Sequence, residues 1–305
     1  MRKFFKQLLL LVVGMTIGVG LLVADHYYNQ EQEANQLIKK ESRPDSQVGG
    51  LTAQQKLQLA NHTYQPGEGV IIYVNNGRSS LNPKSWRKNQ VLYGPLDAQG
   101  RTSAGNTAFL ERRNHADTNL RTDQSVQPAG WHHNSDGQLV YNRGHLIAYS
   151  LTAGINPQTG QYSAGVVGDQ DNPRNLFTET DFVNQEIQTI YETKVRHAIE
   201  HGQKVIYQAT PIFRGNELVP RGINLQAIST DGRLNFNVYL QNVEPGVVIN
   251  YRDGSYYFDS TMAVPVPPNA EPAEDSKANN EGQFHFYGHY PRPIARAPRH
   301  YYRAW

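Results

Sequence analysis

The chain has 305 residues, of which 38% are hydrophobic and 10% aromatic, with 18 tyrosines; it can bury a sizeable core, and a wholly disordered chain is excluded. It has no cysteine, which excludes a disulfide framework, a thiolate metal site and a cysteine nucleophile, and suits a bacterial surface better than a eukaryotic secretory route. The net charge of +2 is uneven: Arg2, Lys3 and Lys6 crowd one end and Arg292, Arg296, Arg299 and Arg303 the other, leaving the body net negative, so any nucleic-acid surface must be a local patch.

In chain order, the three N-terminal cations precede the uncharged apolar run Leu8 to Ala24. Its end, Leu22-Val23-Ala24-Asp25, lacks a small residue at the −3 position, which favours an uncleaved signal anchor over a cleaved signal peptide. The basic flank stays in the cytoplasm, so the chain after Asp25 is expected outside the membrane. Residues 26–67 read as a polar helical linker, and 68–261 as the folded domain. Val70 to Val74 reads as a buried strand ending in the turn Asn75-Asn76-Gly77. Leu139-Val140-Tyr141 reads as a short strand running into a turn at Asn142-Arg143-Gly144-His145. A helix is expected from Glu179 to His201, with Thr178 as N-cap, Asp181 three residues on, an apolar stripe (Ile187, Ile190, Tyr191, Val195, Ala198, Ile199) and Gly202 past its end. Val205 to Tyr207, Leu234 to Leu240 and Val247 to Tyr251 read as further strands, with hairpin turns at Asp231-Gly232 and Asp253-Gly254. The fold class is α+β, with an antiparallel sheet core. Residues 262–283 read as a Pro-rich, acidic, disordered linker, and 284–305 as a basic aromatic tail.

The chemistry-bearing residues cluster around His145. Asn184, Gln188, Glu192 and Arg196 recur every four residues along one line of the helix. Hydrolysis of a phosphodiester needs a base for water, a cation on the phosphate oxygens and help for the leaving alkoxide. A neutral histidine supplies the first near neutral pH. Asn184 offers an oxygen to a magnesium ion, which keeps most of its waters, and Glu192 can hydrogen-bond those waters. Arg143 and Arg196 can neutralise charge on the phosphoryl oxygens. Arg112 and Arg113 are a basic pair that can grip a substrate backbone. His132 and His133 lack further spaced ligands and are read as structural or close to substrate.

The run Tyr141 to Ile147 resembles the D/N-R-G-H motif of the DNA/RNA non-specific endonucleases, the ββα-metal or His-Me finger nucleases. Asn175 and Asn184, nine residues apart, resemble the family's two asparagines. Glu192 and Arg196 fall where its helix carries a carboxylate and an arginine. Gly130-Trp131-His132, Phe236-Asn237-Val238 and Asn242 to Gly246 are similar to membrane-anchored or secreted members from streptococci and lactobacilli. The resemblance spans roughly residues 68–258. It implies a ββα-metal motif, His145 as general base, Asn184 as the ligand of one Mg²⁺ (with Mn²⁺ as a substitute), Asn175 shaping the site and Glu192 acting through metal-bound water. It also implies an extracellular nuclease acting on DNA, with RNA as a second substrate, leaving 5′-phosphate ends. Asn142 stands where many relatives have Asp, which puts any role needing a carboxylate there in doubt.

Two further expectations concern the ends. The N-terminal helix makes the membrane a partner of a Gram-positive cell-surface or secreted protein, and the tail suits single strands or a cell-wall polymer. The competing function is a surface protein that binds DNA or wall polymer through the same scaffold without cutting.

Overall fold

The computed structural model describes residues 48–117, 120–134 and 139–267. The signal anchor read over 1–25, the start of the polar linker, the acidic part of the Pro-rich linker and the basic tail lie outside the described residues.

Six antiparallel strands form the main sheet: β1 (Ile71–Tyr73), β2 (Gln90–Tyr93), β3 (Asn106–Leu110), β6 (Val205–Ile212), β7 (Gly222–Ser229) and β8 (Asn235–Gln241), in the order β1-β8-β7-β6-β3-β2. Two smaller ribbons accompany it, β4 (Tyr141–His145) with β5 (Leu176–Thr180), and β9 (Val247–Ile249) with β10 (Tyr256–Phe258). The result is the expected mix of an antiparallel sheet with few helices.

Both faces of the sheet are covered, so the polar side chains that alternate with apolar ones along β7 and β8 (Asn224, Gln226, Asn237) are buried as well. Toward one face β6 sends Val205, Tyr207 and Ala209, joined by Ala108, Leu110, Leu225, Phe236 and Val238. Helix α2 (Thr189–Glu200), with the turn before it, packs there through Ile187, Tyr191, Val195, Ala198 and Ile199. Toward the other face Ile206 meets Val48, Leu81, Phe109 and Ile228.

Helix α1 (Ala53–Asn61) also covers that second face, burying Leu59 and Ala60 with Val74, Ile212 and Tyr239. Its start is a capping box: the Thr52 hydroxyl accepts from the Gln55 amide at 3.2 Å, and the Gln55 side chain accepts from the Thr52 amide at 2.9 Å. The segment expected as a linker is thus part of the fold from Val48 onward. At the other end Met262, Val264 and Val266 pack against the main core, so the ordered chain passes the boundary expected at residue 261. Valines spaced by prolines read as an extended segment either way; only the apolar surface waiting for them decides that it docks.

Three local expectations need correction. Asn142 to His145 is not a turn but most of strand β4, because it pairs residue for residue with β5, from Tyr141 opposite Thr180 to His145 opposite Leu176. Leu176 to Thr180 is correspondingly strand, so the helix begins near Asp181 and Thr178 does not cap it. Its first turns are capped instead by the Thr180 hydroxyl, accepting from Val183 N at 3.3 Å, and by Glu244, accepting from Phe182 N at 2.7 Å. The C-terminal expectation holds: Gly202 has φ +78°, and Gly202 and Gln203 donate back to Ile199 and Ala198, the Schellman arrangement.

Candidate active site

Strand β4, strand β5 and the helix after it form one strand–strand–helix unit, and most of the site residues expected from the sequence sit on it. Between β5 and α2 the backbone passes through a π-helical turn, Val183–Gln188. Such wide turns break the regular side-chain register and recur at functional sites. Asn184 lies in this turn.

On one side of β4 the side chains form a hydrogen-bonded network. Asn142 Nδ2 donates to Asp181 Oδ1 at 3.0 Å and to Asn184 Oδ1 at 3.3 Å. Asn184 Nδ2 donates to Glu179 Oε2 at 2.8 Å, and Gln185 Nε2 donates to Asn184 Oδ1 at 2.6 Å. Gln188 Nε2 donates to Glu192 Oε1 at 2.9 Å and to the His145 carbonyl at 2.8 Å, tying the helix to the histidine's own backbone. Arg196 is buried on the same helix and donates to the Thr193 hydroxyl at 3.2 Å.

Glu179, which the motif reading passed over, is fully buried and faces Asn142 across the strand pair. Gly144 is what makes room for it. A Cβ at 144 would lie 2.1 Å from Glu179 Oε2, so only glycine lets the carboxylate cross the strand. Burial raises the Glu179 carboxyl well above its usual range, countered by the Asn184 hydrogen bond and reinforced by the charge of Glu192.

Strand alternation turns Arg143 and His145 to the opposite side from Asn142. There His145 Nε2 meets the Gln170 carbonyl at 3.1 Å. A carbonyl only accepts, so Nε2 carries the proton and Nδ1 is the basic nitrogen. Burial and then the nearby Arg121 guanidinium pull the imidazole from 6.5 to about 4, against the opposing effects of the Gln170 carbonyl and Asp171. Asp171 anchors the loop above, accepting from the Ser125 amide (2.9 Å), the Ser125 hydroxyl (2.6 Å) and the Val126 amide (3.0 Å). Arg143 donates from Nε to the Val126 carbonyl at 2.6 Å and lies 4.5 Å over the Trp131 ring.

Asn175 is wholly buried and works on the backbone. Its amide accepts from Ile147 N at 3.0 Å and donates to Ile147 O at 2.9 Å, pinning the chain two residues past His145. Asn242 does the same at the far end of β5, accepting from Thr180 N and donating to the Thr178 and Pro220 carbonyls. The Asn242-to-Gly246 stretch therefore sets where the strand stops and the helix starts.

Arg112 and Arg113 lie outside this unit, exposed on a short turn (Arg112–Asn114) after β3. Arg113 pairs with Glu111 and stacks 4.2 Å from the Tyr162 ring, so its charge is engaged on its own surface. His132 Nε2 binds the Asp253 carbonyl at 2.9 Å, a structural contact, and no cluster of three or more His, Cys, Asp or Glu suited to a metal occurs among the described residues. The sequence reading missed Glu179, Gln170, Asp171 and Arg121, and it saw Gln188 only as one member of the helical line, without its bond to the His145 carbonyl. Glu179 alone left a trace, a carboxylate inside the strand-like run Leu176 to Thr180.

Residues 80–231 match the family model described as DNA/RNA non-specific endonuclease. Among solved structures the chain is similar to NucA from Streptococcus agalactiae with magnesium bound, at 29% identity and a TM-score of 0.55, over 68% of this chain and 97% of that one. The metal-free NucA from the same organism matches at 29% identity and a TM-score of 0.53, over 69% and 97%.

Proposed function

Because residues 80–231 make up a domain of the DNA/RNA non-specific endonuclease family, we propose that this chain is an extracellular, metal-dependent endonuclease that hydrolyses phosphodiester bonds of DNA, with RNA as a second substrate. The observation that carries the reading is the His145 imidazole, held by the Gln170 carbonyl in the tautomer that leaves Nδ1 as base. It stands on the strand hydrogen-bonded to the one that leads into the helix of Asn184 and Glu192.

His145 Nδ1 takes a proton from the attacking water. Arg143, on the same side of β4 and stacked on Trp131, brings positive charge toward the phosphoryl oxygens. Arg196 adds charge from the buried face of the helix. Asn184, Glu179 and Glu192 each offer oxygen to a cation, and one carboxylate oxygen, Glu179 Oε1, is buried without a hydrogen-bond partner. That set fits a hard divalent cation, Mg²⁺ or Mn²⁺, held by Asn184 with Glu192 on its waters. When bound, the cation supplies charge neutralisation at the phosphate and at the leaving alkoxide. The products are 5′-phosphate and 3′-hydroxyl ends. The site reads no base edge, so cleavage shows weak sequence preference and binding weakens steeply with salt. A signal anchor over residues 1–25 would hold the domain at the outer face of the membrane, a position suited to DNA uptake or degradation.

Incubation with supercoiled plasmid and with RNA, in Mg²⁺ and in EDTA, tests the proposal. Mg²⁺-dependent nicking and fragmentation are expected. Plasmid that stays intact in Mg²⁺ while the protein still retards it in a gel would replace the enzyme with a binding protein.

A further inference from the structure

We infer that Glu179 supplies the negative charge of the divalent-cation site, taking over from the neutral amide at Asn142 on the facing strand. The inference rests on the metal-dependent reading above and concerns which residue of this chain sets the cation's affinity.

Four observations point there. Asn142 and Glu179 are direct cross-strand partners, so their side chains stand on the same side of the ribbon as immediate neighbours. Glu179 Oε2 takes the Asn184 amide hydrogen at 2.8 Å, so the carboxylate decides which way that amide turns. Its other oxygen, Oε1, is buried without a hydrogen-bond partner. Gly144 leaves open the space the carboxylate crosses, and no other residue at 144 would.

A carboxylate oxygen enclosed without a partner is costly unless a cation completes it. An amide oxygen alone holds a divalent ion weakly, because it contributes a dipole and no charge. Of the two wholly buried carboxylates in the network, Asp181 takes the Asn142 amide and Glu179 takes the Asn184 amide. The one bonded directly to the proposed ligand is therefore Glu179, and in so enclosed a place its charge acts on a cation with little screening. Glu179 is thus a positioning and charge-balancing residue: it orients Asn184 and raises the affinity for the ion, without touching the reacting atoms.

The test is Mn²⁺ binding to the full chain, read by electron paramagnetic resonance titration and by the rise in unfolding temperature on adding Mn²⁺. Glu179→Gln keeps the shape and removes the charge. It should weaken Mn²⁺ binding by about tenfold or more, and shrink the Mn²⁺-induced stabilisation, while unfolding in EDTA at a temperature equal to or above wild type. Glu179→Asp, which keeps the charge on a shorter arm, should fall between the two. If E179Q does not fold, the double variant Asn142→Asp/Glu179→Gln carries the comparison, because it returns one carboxylate to the strand pair and should bind Mn²⁺ within a few-fold of wild type. An E179Q protein that binds Mn²⁺ as tightly as wild type, or a folded double variant that binds none, overturns the inference and leaves the nuclease reading standing. A wild type that binds no Mn²⁺ sinks both.

Discussion

His145 shows how one hydrogen bond fixes which imidazole nitrogen is free to accept a proton. Its Nε2 proton is committed to the Gln170 carbonyl, and burial together with Arg121 lowers the imidazole to about 4. The neutral, basic form is then present above that value and is lost as pH falls through it. The acid limb of kcat/KM, which reports the free enzyme, should therefore lie near pH 4 to 5 and not near 6.5. Arg121→Ala removes the smaller of the two lowering influences, so it should move the limb upward by a fraction of a pH unit. Initial rates on a short duplex across overlapping buffers would show both effects, and a limb near 6.5 in wild type would mean that burial does not act on His145 as described. At the same scale, Asn175→Ala strips partners from both backbone groups of Ile147 and from the Asn106 side chain. It should cost about 2–3 kcal/mol in denaturant unfolding and lower activity through the displaced His145 segment.

Among elements, the β4–β5 ribbon and its helix make one device whose parts cannot be moved separately. Gly144→Ala should abolish most activity while the main sheet survives, because the new Cβ meets Glu179 and must displace either the carboxylate or the strand. Near-normal cleavage by a folded G144A protein would show that the ribbon tolerates a shift that the close approach forbids. At this scale the sequence was informative about types and misleading about boundaries. The helix stripe from Ile187 to Ile199 and its Gly202 stop were legible because their period and cap are local. The strand character of Asn142 to His145 was not, because Asn, Arg and Gly have turn chemistry and only pairing with Leu176 to Thr180 overrides it. The same override hid Glu179, since a glutamate beside threonines reads as a helix start until its partner strand is known. The pairing of Asn184 with Asn142, and of Gln188 with the His145 backbone, is likewise a product of tertiary contact.

Across the whole molecule, the sheet is enclosed by chain from both ends of the domain. Helix α1 closes one face and residues Met262, Val264 and Val266 close on the other core. The helix was visible in the sequence, but its short buried patch, Leu59 and Ala60, gave no sign that it belongs to the fold. A chain starting at Val48 should fold and cleave as the full protein does, whereas one starting at residue 68 would expose Val74, Ile212 and Tyr239 and should unfold at a lower temperature, read by calorimetry. Equal unfolding temperatures for the two would show that α1 adds nothing to the core.

Whether the domain cuts nucleic acid with His145 as its base is decided by single-turnover cleavage of a labelled DNA duplex in Mg²⁺, comparing wild type with His145→Ala. Wild type should cleave, and the variant should be slower by roughly 10²–10⁴-fold at unchanged duplex affinity. A His145→Ala protein that cleaves at the wild-type rate would show that His145 is not the base.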